Sequence, residues 1–527
     1  MLKIAGGGIA ASLLVAPALY ATEKTPAARE RDGDGIYDVR TYGAIGDGHV
    51  IDTPAVNKAI EAAAASGGGT VRFSAGTYAC YSIHLRSHVT LFLERGATIL
   101  AAPTPAAGAG GGYDAPEPDP AWVAYQDFGH NHWHNSLLWG ENIHDFGIGG
   151  PGLIWGKGLD RGHGPNKLME SPGGGNKSIA LKNCRNVVLK EFSVLQGGWF
   201  AILATGVDNL TIDSLTIDTN RDGMDIDCCR NVRVSNCTVN SPWDDGIVPK
   251  SSYALGYARS TENVTISNCY VTGAYQLGSL LDGTFKRFPA GEKVPQIGRI
   301  KLGTESNGGF KNIAISNCVF EGCRGLALET VDGALLEDIA ITNITMRDIV
   351  SAPIFLRLGA RMRGPKNAAV GQLRRVIISN IVASNVDPRH CSILSGIPGH
   401  AIQDIQISDI FIQQWGGGTR EQADRHMPEN ESNYPEPQMF GVTSAQGFYL
   451  RHVQGIDMSH IEIASMQPDQ RPVFMLDDVS DAEFLRIRAP REQGVPTFSL
   501  HDVENFNVAL SRGVSDLTLK KTSDKTL

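Results

Sequence analysis

The chain has 527 residues, with 42% hydrophobic and 20% charged side chains and a formal net charge of −9. That is enough apolar material for a large core and excludes wholesale disorder. The acidic balance argues against a nucleic-acid partner, which demands a basic face, but not against an acidic substrate, because a local basic pocket can sit on an acidic protein.

The first residues read as an export signal. Lys3 supplies a short positive region, residues 4–19 are apolar or small, and Ala16-Pro17-Ala18, with Ala21 as a second candidate, offers a small-residue cleavage site. This predicts a signal peptide at 1–21 and a linker at 22–35, and so a secreted or periplasmic protein in a bacterial context. A membrane anchor is the alternative, but the apolar run is marginal for a bilayer and broken by glycines.

A cap is expected over about 36–66. Residues 52–65 have helical spacing, with Ala55, Val56, Ala59, Ile60 and Ala63 on one face. Asp52 or Thr53 is placed to cap this helix and Pro54 suits its first turn, while Gly67-Gly68-Gly69 ends it. Strands follow at 70–73, 83–85 and 89–93. The segment at about 103–135, rich in Gly, Pro and aromatics, reads as an insertion, and so does 416–440.

From residue 186 onward a short pattern recurs: Asn or Asp, aliphatic, any, aliphatic, polar, Asn or Asp. It runs as Asn209-Leu-Thr-Ile-Asp-Ser-Leu215, Asn231-Val-Arg-Val-Ser-Asn-Cys237, Asn263-Val-Thr-Ile-Ser-Asn-Cys269 and Asn312-Ile-Ala-Ile-Ser-Asn-Cys318. Period-two alternation is a strand signal, and the Asn or Asp marks a turn. Intervals of roughly 20–30 residues belong to solenoids. Strand after strand without helical periodicity predicts an all-β, single-stranded parallel β-helix over 36–512, a pectate-lyase-like solenoid with an N-terminal helical cap and a tail at 513–527. Stacked turns would align the asparagines in a hydrogen-bonded ladder. The nine cysteines show no metal spacing. Four recur in one Asn-Cys context, at 184, 237, 269 and 318, which reads as stacked core residues rather than disulfides.

Three acidic stretches fall in phase with the coil. Asn220 and Asp222 are two apart, as are Asp225 and Asp227, and Trp243-Asp244-Asp245-Gly246 with Lys250 follows about one coil later. Coils stack at roughly 5 Å, so several carboxylates should lie within about 10 Å. Glycoside hydrolysis needs two carboxyl groups, one to protonate the leaving oxygen and one to activate water, and crowding raises the pKa of one of them. Clustered carboxylates also suit calcium, which would point to a lyase using Lys250, Lys301 or Arg299 as base.

These segments resemble glycoside hydrolase family 28, the polygalacturonases. Tyr42-Gly-Ala-Ile-Gly-Asp-Gly48, Gly67-Gly-Gly-Thr-Val71 and Ala75-Gly-Thr-Tyr78 resemble that family's cap. Asn220-Arg-Asp222-Gly-Met-Asp225 matches its Asn-x-Asp motif and Asp244-Asp245 its paired aspartates, while Tyr434-Pro-Glu-Pro437 and Tyr449-Leu-Arg-His452 resemble C-terminal stretches of bacterial members. The resemblance, spanning about 36–465, implies a right-handed β-helix and inverting hydrolysis of a pectin-like chain. Asp244 maps to the general acid, Asp222 and Asp245 to the water-activating pair, and Asn220 to their support.

Two motifs of the family are missing. No histidine precedes Gly303-Thr-Glu305, where the chain reads Gln296-Ile-Gly-Arg-Ile-Lys-Leu302, and Leu326-Ala-Leu-Glu329 follows Arg324-Gly325 where an Arg-Ile-Lys clamp is expected. Arg299-Ile-Lys301 has the right letters a coil early and is not the same motif. Asp225, Lys250, Arg299, Lys301, Glu305, Glu329, Trp243 and Tyr275 are the remaining candidates for substrate binding. Arg357 is a further possible cation, and Trp199 a further stacking platform. His130, His132 and His134 alternate like strand residues but read as loop, so no metal and no cofactor is expected. The expected partner is a polysaccharide or oligosaccharide, with no nucleic acid and no membrane after signal cleavage, for a monomer. The non-enzymatic alternative is a glycan-binding solenoid with a dead site.

Overall fold

The structure is a computed structural model that describes residues 35–106, 108–160 and 171–527. The expected signal peptide at 1–21, and the linker apart from Gly35, lie outside the described residues.

Period-two alternation builds the coils. The strand Asp208–Asp213 buries Leu210 and Ile212, and these stack in parallel register on Val232 and Val234 of Arg230–Ser235. The next coils add Val264 and Ile266, then Ile313 and Ile315. Each aliphatic column continues from coil to coil, and a fully buried side chain of this kind contributes about 1.5–3 kcal/mol. The interior is thus one apolar rod from Val39 to Val508.

The turn asparagines adopt the left-handed conformation that Asn tolerates: φ is 56° at Asn209, 57° at Asn231, 58° at Asn263 and 54° at Asn312. Each side chain donates to the one before. Asn209 bonds Asn186 at 2.8 Å, Asn231 bonds Asn209 at 3.1 Å, Asn263 bonds Asn231 at 3.1 Å and Asn312 bonds Asn263 at 2.8 Å. A second ladder runs through Asn236, Asn268, Asn317 and Asn343. All nine cysteines are buried and free.

The cap forms as the helix Thr53–Ala65, burying Val56, Ala59, Ile60 and Ala63 against the first coil. Neither expected capping side chain caps it. The Asp52 carboxylate instead accepts from the Ile45 and Gly46 amides at 2.7 and 2.9 Å, and the Thr53 hydroxyl accepts from the Tyr81 amide at 2.7 Å. Both residues tie loops to the cap. At the other end, residues 513–527 are not a loose tail: Leu517–Thr526 pairs antiparallel with Phe498–Ala509 and so closes the last coil. Among the described residues no helix is long and apolar enough to cross a membrane.

One sheet positions the polar residues. Its parallel strands Phe200–Thr205, Asp222–Asp227 and Ile247–Lys250 lie side by side, and an Ile247–Ile300 bridge continues it to Lys301–Leu302, Leu326–Thr330 and Ile354–Leu358. The two insertions pack on its outer face. Phe128 and Trp133 of the first join Trp199, Phe200 and Leu203, and Met427 and Phe440 of the second join Ala327, Phe355 and Tyr449. The first also reaches Asp225 through His130, and the second reaches Arg299 through Glu436. A surface groove of about 950 Å³ lies elsewhere, between Ile377 and the C-terminal strand.

Candidate active site

Parallel pairing explains why the aspartates meet. Met224 is in register with Ile247, and the Gly223 amide donates to the Asp245 carbonyl at 3.0 Å. Asp222 and Asp245 therefore occupy corresponding rungs of consecutive coils. Carboxylate oxygens of Asp222, Asp244 and Asp245 all lie within 4.8 Å of one another.

Cations from the next coils hold this cluster. Arg299 Nε donates to Asp245 Oδ1 at 2.8 Å, and Lys301 Nζ lies 3.2 Å from Oδ2. Arg221, whose guanidinium lies 3.7 Å from the centre of the Trp199 ring, pairs with Asp244 at 2.6 Å. Deeper in the sheet, Lys250 lies 3.4 Å from Asp225 and 3.2 Å from Glu305, and His130 Nε2 lies 3.1 Å from Asp225. Lys301 is 3.6 Å from Glu329. Three close carboxylates also suit a hard cation, but Arg221, Arg299 and Lys301 already neutralise two of them.

The environments push the carboxyl groups apart. Burial raises Asp222 well above the usual carboxylate range, and the charges of Asp225 and Asp244 add to this. Burial also raises Asp244, against the opposing pull of Arg221. Asp245 meets the same burial, but Arg299 and Lys301 outweigh it and hold the group well below the usual range. Glu305 is likewise buried yet held low, by Lys250 and His130. Glu329 is pushed up by burial to about 7, in spite of Lys301 and Arg299. Lys250, Arg299 and Lys301 all pay for burial, but their carboxylate neighbours more than restore the charge and raise them well above their ordinary values. His130 is raised too: Asp225 and Glu305 win over burial and Lys250.

Asp222, Asp225, Asp244, Asp245, Lys250, Arg299, Lys301, Glu305 and Glu329 thus share one connected polar network, with Asn220 buried beside it at the entry to the Asp222 strand. Two sequence candidates, Tyr275 and Trp243, are packed against aromatic neighbours. Tyr275 packs with Phe285 and donates to Glu321 at 3.0 Å, so its ring is a buried prop rather than a sugar platform. Trp243 packs edge-on against Phe288. Arg357 is also buried, donating to Ser395 and to backbone carbonyls of the second insertion, which it anchors. The three histidines serve separate carboxylates, with His132 on Asp119 and His134 on Glu141.

Residue reading missed Arg221, Asp127, Arg324, Arg363, Tyr434 and Glu436. Glu436 lies 2.5 Å from Arg299 and 2.9 Å from Arg324. The Tyr434 hydroxyl bonds Thr304 at 2.9 Å. Arg363 joins Asp127 of the first insertion to Glu305, at 2.7 and 3.3 Å. The signal for Tyr434 and Glu436 was present, in the Tyr-Pro-Glu-Pro stretch.

The fold and the site define a parallel β-helix with an acid–cation centre on one sheet. Residues 169–288 match the family model described as a right handed beta helix region. A probable polygalacturonase of Vitis vinifera is 25% identical over 393 residues, 70% of this chain and 73% of that protein. The hyperthermoactive exopolygalacturonase from Thermotoga maritima superposes with a TM-score of 0.57 at 15% identity, over 94% of this chain and 96% of that one. The family 28 exopolygalacturonase of Yersinia enterocolitica gives 0.53 at 17% identity, over 90% of this chain and 78% of that one. The expected right-handed β-helix is borne out, and over most of its length the chain is similar to polygalacturonases.

Proposed function

We propose that this protein is a glycoside hydrolase that cleaves pectic or related polysaccharide, exported through its N-terminal segment and acting as a monomer. The supporting observation is that Asp244 and Asp245, adjacent in sequence and within 4.8 Å of Asp222, are pushed in opposite directions from the usual carboxylate range, Asp244 up by burial and Asp245 down by Arg299 and Lys301. Groups pushed apart in this way make an acid and a base. Asp244, the more exposed of the two, protonates the leaving oxygen. Asp245 is ionised and takes the proton of the attacking water in a single inverting displacement. Asp222, which the resemblance places with the base, is pushed well above the usual carboxylate range by burial and by the charges of Asp225 and Asp244. The lyase alternative needs a neutral Lys or Arg as base, and the raised pKa values of Lys250, Arg299 and Lys301 oppose it.

The test is release of reducing ends from a panel of pectic oligosaccharides, with Asp222→Asn, Asp244→Asn and Asp245→Asn as controls. Each variant should lose about 10²–10⁴-fold in rate with an unchanged circular dichroism spectrum. Full activity in all three, or an unsaturated product, sinks the reading.

A further inference from the structure

The cations nearest the reacting aspartates are already spent. Arg299 and Lys301 are 1% and 2% exposed, so a ligand cannot reach them without rearrangement. Both are paired with the ionised Asp245. Glu436, from the insertion at 416–440, lies beside them and also takes Arg324. It is 16% exposed, against 1% and 2% for Arg299 and Lys301, and so is the most open member of this group. The network around Arg299 and Arg324 holds it ionised in spite of burial. Arg221, the other cation at the rim, is committed to Asp244.

We propose that Glu436 is a specificity residue: it occupies the place of a substrate carboxylate and makes the subsite beside Asp245 select an uncharged sugar over a uronate. A uronate carboxylate entering there would face Glu436 and Asp244 beside cations that each already hold a carboxylate partner, and a buried charge left without full compensation is heavily penalised. A sugar hydroxyl has no such penalty. The chain thus pairs the cations beside its aspartates from within.

The inference rests on the reading of the aspartate cluster as a sugar site. The test compares binding of oligogalacturonides with binding of the same oligosaccharides after reduction of their carboxyl groups to neutral galactose units, by calorimetry on Asp244→Asn protein. The neutral form should bind at least tenfold more tightly. Glu436→Ala in the same background should erase or invert that preference, and Glu436→Gln, which keeps the shape and hydrogen bonding, should do so in part. Tighter binding of the charged form with Glu436 in place overturns the inference, as does a preference unchanged in both variants or binding of neither form. The wild-type protein assayed for turnover separates the two ideas. Neutral preference in binding without any cleavage sinks the hydrolase reading alone. Rapid cleavage of unmodified polygalacturonate with tighter charged-form binding sinks this inference alone.

Discussion

Arg299 and Asp245 sit on successive coils, and the 2.8 Å hydrogen bond between them is made with both side chains almost wholly buried. The pairing follows from backbone register, because the Gly246 amide donates to the Arg299 carbonyl at 2.8 Å. Asp245 owes its low pKa to this guanidinium more than to any other charge. Removing it in Arg299→Leu should therefore raise the pKa of Asp245. A base with a raised pKa is protonated at higher pH, so the acid limb of kcat/KM should move upward. Breaking a buried pair also costs about 3–5 kcal/mol. Arg299→Lys, which keeps the charge, should shift the limb less and remain folded. A limb that stays put in both variants would separate Asp245 from the base role.

Arg221 acts in the opposite place. It pulls the Asp244 carboxyl down against burial. Arg221→Leu should release that pull and raise the pKa of Asp244 further. If Asp244 is the acid, the alkaline limb of kcat/KM then moves to higher pH while the acid limb stays. A pH–rate profile reads both limbs at once. Loss of rate with neither limb moved would make Arg221 a packing residue on Trp199.

The parts of this molecule that were legible in sequence are local or periodic. Leu210, Val232 and Val264 announce their strands by alternation, and the turn asparagines mark the ends. The meeting of Asp222 with Asp245 follows from coil length alone. What escaped depends on chain paths with no period. Glu436 lies 137 positions from Arg299, and nothing in the spacing of a Gly- and Pro-rich insertion says where its acid will land. Arg299 and Lys301 were set apart from the expected clamp because they stand a coil early. That early coil is the one that stacks on Asp245. Asp52 misled for a related reason: it stands where a helix cap should, but two amides from a neighbouring loop compete for its carboxylate and win.

Glu329 gives a stability signature. Its folded pKa, about 7, lies above its ordinary value of 4.5. The native state therefore holds a proton that the unfolded chain has released, and stability falls as pH rises between those two values. The whole window is worth at most about 3 kcal/mol. Glu329→Gln should remove the slope, so that urea midpoints of the wild type and variant converge at low pH and diverge as pH approaches 7. Parallel curves across that range would show that the carboxyl is ionised throughout.

Asn263 tests the turn ladder. Its side chain donates to Asn231 and accepts from Asn312, and its backbone lies at φ 58°. Asn263→Ala loses both bonds and leaves a β-carbon in the left-handed region. The backbone penalty is about 1–2 kcal/mol, and each exposed hydrogen bond adds up to about 1 kcal/mol. Asn263→Gly loses the same bonds but relaxes the backbone, which glycine adopts freely. Alanine should therefore destabilise the coil by about 2–3 kcal/mol and glycine by less, as read by urea denaturation. Equal losses would place the energy in the ladder alone, and a larger loss for glycine would place it in the entropy of the unfolded chain.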